Sequence, residues 1–152
     1  MTQHSYSSHV AWDGTTAGGY RAYSRDHAAV ARPARDELAL SADPAFRGNP
    51  ELLNPEQLLV VAASSCQLLS FLAVAARAGL DIRDYEDEAS AVLDTAIDPV
   101  RITRIALAPV IRVAAGTDHE SVRAAARTAH DECYIANTLN CTLTLDVTVE
   151  DA

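Results

Sequence analysis

The sequence predicts an α+β fold, and three observations lead there. A long apolar segment bounded by helix signals occupies residues 53–79, near the middle of the chain. Alternating, strand-compatible stretches lie on both sides of it. A second helix pattern comes late, followed by one last alternating stretch. Strands, apolar helix, long hairpin, second helix and strand, in that order, put antiparallel sheets against two central helices. The 152 residues are most simply one domain, 1–152. The central helix carries more apolar surface than a chain of this size covers easily, so a homodimer whose two copies share the core is expected.

Residues 5–12 are strand-compatible, and Asp13-Gly14 marks a turn after them. A second extended stretch is read over 19–27, where period two would place Arg21, Tyr23, Arg25 and His27 on one face. Residues 36–41 read as a third strand after the Pro33 turn, and 43–53 as a loop rich in Pro, Gly and Asn. Asn54 then offers an N-cap, Pro55 suits the first helical position, and Gln57 completes a capping box. Gly79 supplies the stop. Residues 81–95 and 101–113 read as partners in a hairpin, with Asp98-Pro99 near its turn and Pro109 calling for a bulge or an edge. Thr117 and Glu120 fit a capping box for a second helix running through Asn137. In residues 141–149, Cys141, Leu143, Leu145, Val147 and Val149 share one strand face.

Twelve Lys and Arg stand against 21 Asp and Glu, a formal charge of -9. That balance argues against nucleic acid and against anionic membranes. The apolar segment is interrupted by Ser64, Ser65, Gln67 and Ser70, which disfavours a membrane span. The first residues, MTQHSYSSHVAWDG, lack a basic region followed by an apolar one. A cytoplasmic location is therefore expected, with cysteines reduced unless they do redox chemistry.

The five histidines are scattered without H-x-x-H or H-E-x-x-H spacing, and there is no phosphate loop or dinucleotide fingerprint. Ser64-Ser65 lies within a helix pattern and not on a nucleophile elbow. The cysteines remain. Cys141 sits on an apolar strand face and reads as packing. Cys66 and Cys133 come within disulfide reach if their helices pack antiparallel; otherwise they are small core residues. A reactive Cys66 needs its thiolate, yet it lies too deep in its helix to profit from that helix's own N-terminus. A guanidinium from Arg21 or Arg25 is the available cation, and Glu56 can orient it through a bidentate pair. The plainer role for Glu56 is a first-turn acid favoured by the helix dipole.

With these residues in view, NPEQLLVVAASSC resembles the N-P-E-x-L-(x)₇-C stretch of the osmotically inducible and organic hydroperoxide resistance proteins, the OsmC/Ohr family. AHDECYIAN, running into the final strand, resembles that family's A-H-x-x-C-x-x-x-N segment. The resemblance implies an OsmC-like fold and an intertwined homodimer with its sites at the subunit interface. It implies thiol-dependent reduction of organic hydroperoxides without metal, haem or other cofactor. By residue, it makes Cys66 the peroxidatic thiol and Cys133 the resolving thiol. Glu56 matches the glutamate that pairs with the activating arginine, for which Arg25 is preferred and Arg21 is the alternative. A lipoyl-type or thioredoxin-type dithiol would restore the thiols. The apolar side chains of Phe46, Leu68, Leu69 and Phe71 would suit an alkyl chain. Tyr134 departs from the family, which often has proline there, and YRAYSRDH and SADPAFRGN match a less-characterised branch. Two rivals stand beside this reading. One is a non-enzymatic dimer that binds a small ligand or serves structurally, its cysteines merely packed. The other is a cysteine hydrolase using His27 or His130 as base.

Overall fold

A computed structural model of the chain describes residues 2–152. Its longest element is α1, Pro55–Arg77. The capping box forms reciprocally: Gln57 N–H donates to Asn54 Oδ1 at 2.8 Å, and Asn54 N–H donates to Gln57 Oε1 at 3.0 Å. At the other end Gly79 takes φ +69°, and the amides of Gly79 and Leu80 donate back to the Ala76 and Ala75 carbonyls. That is a Schellman ending, open to glycine because it has no Cβ to clash. Ala63, Gln67, Phe71 and Ala75 form the buried stripe, one residue per turn. Burial all round is not achieved within one chain: Val61 is 56%, Leu69 64% and Leu72 41% exposed. By length and composition α1 could cross a membrane, but its buried stripe is spent on the protein's own core.

The chain divides into two compact units, the first ending at Leu58. In this unit β1 (His9–Ala11), β2 (His27–Val30) and β3 (Glu37–Leu40) form an antiparallel sheet in that order. The extended stretch expected over 19–27 is a turn region instead. Gly19 N–H donates to Thr16 O at 2.9 Å and Ala22 N–H to Gly19 O at 3.0 Å, with Gly19 at φ +85°. The Gly18-Gly19 pair overrides the period-two pattern, so only His27 of the four proposed face residues lies in a strand. The 43–53 loop holds a short 3₁₀ turn, Pro44–Phe46. Buried Ser41 draws the loop in: its hydroxyl donates to Asp26 Oδ1 at 2.8 Å and accepts from Asn49 N–H at 3.0 Å. Ser41 N–H also donates to Leu53 O, which places the chain directly ahead of the Asn54 cap.

The second unit begins at Leu59 and carries most of α1. The long hairpin forms but is split in two. Strands β4 (Ile82–Asp87) and β7 (Pro109–Val113) pair in one sheet, while β5 (Ser90–Asp94) and β6 (Arg101–Leu107) pair in another. At the break, the Asp87 carboxylate accepts from Ala108 N–H at 2.8 Å and from the Ser64 hydroxyl. Purely antiparallel sheets are not what forms here. Strands β8 (Thr142–Leu145) and β9 (Thr148–Asp151) add parallel to β6 and β7. The helical crossover returns the chain to the same end of the sheets, so each last strand runs with its neighbour. The inward alternation predicted for 141–149 is kept through both strands.

Helix α2 is His119–Glu132. Its cap is Asp118 and not Thr117: Asp118 Oδ2 accepts from Ser121 N–H at 2.9 Å, while the Thr117 hydroxyl donates to Ala114 O. The helix also stops before Asn137. Cys133 leaves helical geometry at ψ 115°, and a separate short helix, α3 (Tyr134–Thr138), follows. Among the described residues three α-helices therefore stand where two were expected. One core joins Phe71 and Ala75 of α1 to Ile111, Val113 and Val149 of the sheet and to Val122, Ala125, Ala126 and Ala129 of α2. A second joins Ala63 to Ile105 and Leu107, with Ile135, Leu139 and Cys141 against it. Cys141 thus packs, as its strand face suggested.

Candidate active site

Cys66 sits half-buried in the middle of α1, while Cys133 is buried at the α2–α3 junction. Both are free thiols, and each acts on the other. Burial opposes ionisation of Cys66, but the neighbouring Cys133 thiol, the Ile135 and Tyr134 amides and the Ser70 hydroxyl all favour its charged form. Together they outweigh burial and hold Cys66 below the ordinary thiol range. Cys133 goes the other way. Burial pushes its thiol up, and the neighbouring Cys66 raises it further, against a smaller pull from the Ala136 and Ile135 amides. Ala136 N–H donates to Cys133 Sγ at 3.5 Å, which makes this sulfur the N-cap of α3. Of the two thiols, Cys66 is therefore the readier to ionise and Cys133 the one that keeps its proton longer.

The break at Cys133 creates this arrangement. Had α2 continued, the Tyr134 and Ile135 amides would have been consumed by carbonyls one turn back. Starting a new helix leaves them free to face Cys66. Where the sequence calls for an imported cation, the groups the structure places beside Cys66 are the Cys133 thiol, backbone N–H groups and Ser70. Ser70 was within reach of inspection, since it stands four residues after Cys66 on the same helix face. The amides carried no signal, because DECYIAN contains neither proline nor glycine.

An open groove of about 520 Å³ runs past Cys66. Leu69 and Ala73 line it with apolar surface, Tyr134 stands 83% exposed beside it, and the Arg77–Glu132 ion pair, 3.0 Å apart, is also in its lining. Of the apolar side chains proposed to meet an alkyl group, Leu69 lines this groove. Phe71 does not: it is fully buried on the opposite stripe of α1. Leu68 lines a different depression, with Val60, Val61 and Asp87.

The remaining predicted site residues belong to the first unit. Arg25 donates from both terminal nitrogens, to the Tyr23 and Tyr20 carbonyls, and its guanidinium stacks over the Tyr23 ring at 3.9 Å and the Tyr20 ring at 4.6 Å. Arg21 is exposed in the turn. Glu56 is half-buried in the first turn of α1, and among the described residues it has no ion-pair partner.

An α+β chain with a polarised thiol pair between two helices defines a thiol-bearing class of protein. The chain belongs to the OsmC-like protein family, whose model matches residues 48–148. Solved structures share its fold over nearly their whole length. An OsmC-like protein of unknown function from Vibrio cholerae aligns at TM-score 0.79 and 24% identity, covering 99% of this chain and 100% of the other. An organic hydroperoxide resistance protein OsmC from Legionella pneumophila aligns at TM-score 0.74 and 16% identity, covering 99% of each. An organic hydroperoxide resistance protein from Elizabethkingia anophelis gives the same TM-score, identity and coverage. No curated protein is significantly similar in sequence.

Proposed function

We propose that the protein is a thiol-dependent peroxidase that reduces organic hydroperoxides to alcohols. The observation that carries this reading is the pairing of the two sulfurs at an open groove, Cys66 in its wall with Cys133 as neighbour, their ionisation biased in opposite directions. A peroxidase needs that division, because one sulfur attacks while the other waits. The names of the Legionella and Elizabethkingia structures support the substrate class.

In this mechanism the Cys66 thiolate attacks the terminal oxygen of ROOH. The O–O bond breaks, the alkoxide takes a proton and leaves as ROH, and Cys66 becomes a sulfenic acid. Cys133 then attacks the Cys66 sulfur, water leaves, and a Cys66–Cys133 disulfide remains. An external dithiol, of lipoyl or thioredoxin type, reduces it by two exchange steps. Arg25 is assigned to polarise the peroxide and hold the thiolate, oriented by Glu56, with Arg21 as the alternative. The working form is assigned as a homodimer located in the cytoplasm. The exposed Val61, Leu69 and Leu72 on α1 support the dimer, since a monomer gains nothing from showing them to water.

Rapid mixing of reduced protein with cumene hydroperoxide, followed by intact mass, tests the assignment. Wild type should lose the mass of two hydrogens within seconds, and neither Cys66→Ser nor Cys133→Ser should do so. No change in wild type after minutes would overturn it in favour of a non-enzymatic ligand-binding dimer. Damage from Arg21→Lys but not Arg25→Lys would move the arginine role to Arg21.

A further inference from the structure

Gln67 is a fully buried polar side chain in the middle of α1, and the proposed chemistry makes no use of it. Its neighbours on the same stripe are Ala63, Phe71 and Ala75, so packing alone does not call for an amide. Such a group is costly in a core unless it is fully bonded. Here both ends are engaged by one partner helix. Gln67 Nε2 donates to the Ala126 carbonyl at 3.0 Å, and Gln67 Oε1 lies 3.3 Å from His130 Nδ1. A carbonyl only accepts, so the first bond fixes the amide's orientation and leaves its oxygen toward the imidazole. That oxygen also only accepts, so His130 carries a proton on Nδ1.

The placement matters as much as the bonding. Gln67 follows Cys66 directly in α1. Ala126 and His130 lie on consecutive turns at the end of α2, and the His130 carbonyl accepts from Cys133 N–H at 3.2 Å. Two directed bonds thus tie α1, one residue from the first sulfur, to the turn that delivers the second. Apolar contacts between the same helices tolerate sliding and rotation; hydrogen bonds of fixed direction do not. We propose that Gln67 and His130 are positioning residues, a clamp that sets how readily Cys66 and Cys133 close a disulfide.

The proposal rests on the reading of these cysteines as a reacting pair, but not on peroxide as the oxidant. Oxidised glutathione serves as the probe. The Cys66 thiolate attacks it, releasing one glutathione thiolate and forming a mixed disulfide. Cys133 then attacks the Cys66 sulfur and releases the second. Two protein thiols are oxidised and one glutathione disulfide is reduced. After acid quench, intact mass gives the ratio of internal to mixed disulfide, which reads the effective concentration of one sulfur at the other.

Gln67→Met keeps length and apolar volume while removing both bonds. It should lower the ratio by at least roughly tenfold, since a misplacement of about 1 Å can cost on the order of a hundredfold. His130→Leu and His130→Gln should lower it in the same direction. His130→Asn, whose amide nitrogen stands where Nδ1 stood, should restore most of it, and should do so even if Gln67→Met fails to fold. An unchanged ratio in Gln67→Met, or a fall in His130→Asn as deep as in His130→Leu, would overturn the clamp. A wild type that forms no internal disulfide with glutathione would overturn it together with the paired-thiol reading. A wild type that forms the disulfide with glutathione but ignores cumene hydroperoxide would sink the peroxidase reading alone, and the variant ratios would still decide the clamp.

Discussion

Helices α1 and α2 each bring one sulfur to the site, and they are built on opposite principles. In α2 the division is clean: Val122, Ala125, Ala126 and Ala129 are buried, and charged residues such as Glu120, Arg123 and Arg127 take the outer face. The chain alone satisfies it. In α1 the buried stripe is just as well packed, but the outer face is still Val61, Leu69 and Leu72. That helix has apolar surface left over. A helix that is finished within one chain can be read from its periodicity, whereas one with a surplus points beyond the chain that carries it.

The contrast between the two faces of α1 can be broken most sharply at Phe71 and Leu69. Phe71→Ala, on the buried stripe, should cost roughly 3–5 kcal/mol in urea unfolding. Leu69→Asp should cost the isolated chain at most about 0.5 kcal/mol, yet it should halve the mass seen by light scattering. If the mass of Leu69→Asp equals that of wild type, the surplus face is not where copies meet.

Next come the caps, where the helices are alike. Asn54→Ala and Asp118→Ala should each cost about 1 kcal/mol in thermal unfolding, because each strands a first-turn amide. A Thr117→Ala loss larger than that of Asp118→Ala would contradict the cap assigned to α2.

The smallest effect distinguishes the two sulfurs. In the wild type, Cys66 should react with iodoacetamide with a midpoint below that of an ordinary thiol, since its pKa is lowered, and Cys133 above it. Cys133→Ala removes a donor to the Cys66 thiolate, so the Cys66 midpoint should move up. A midpoint that stays put or falls would mean that the α3 amides and Ser70 carry the whole effect.

Local signals were legible wherever local chemistry decides the outcome. Asn54, Pro55, Gln57 and Gly79 delimit α1 because caps are bonds between near neighbours, and the alternation after Cys141 survives because it faces a continuous core. The failures share a different cause. Arg21, Tyr23 and Arg25 alternate as a strand face would, but a glycine pair turns the chain there. Thr117 and Asp118 are adjacent candidates for one cap, and only the folded bond to Ser121 separates them. The parallel pairing of β8 and β9 is a matter of topology, which no local pattern records. Within the site, the two cysteines were legible by type and context. The amides that favour the Cys66 thiolate were not, since backbone groups are the same in every sequence.

Cys133 closes one helix with its backbone and opens the next with its side chain: its N–H donates to His130 O while its sulfur accepts from Ala136 N–H. Few residues hold secondary structure by a sulfur atom. Whatever claims that sulfur, whether an alkylating reagent, a metal or another cysteine, competes directly with the Ala136 amide. Covalent chemistry at Cys133 is thereby written into the folding of α3, and the exchange of a single amide proton with water becomes a gauge of what the sulfur is bonded to.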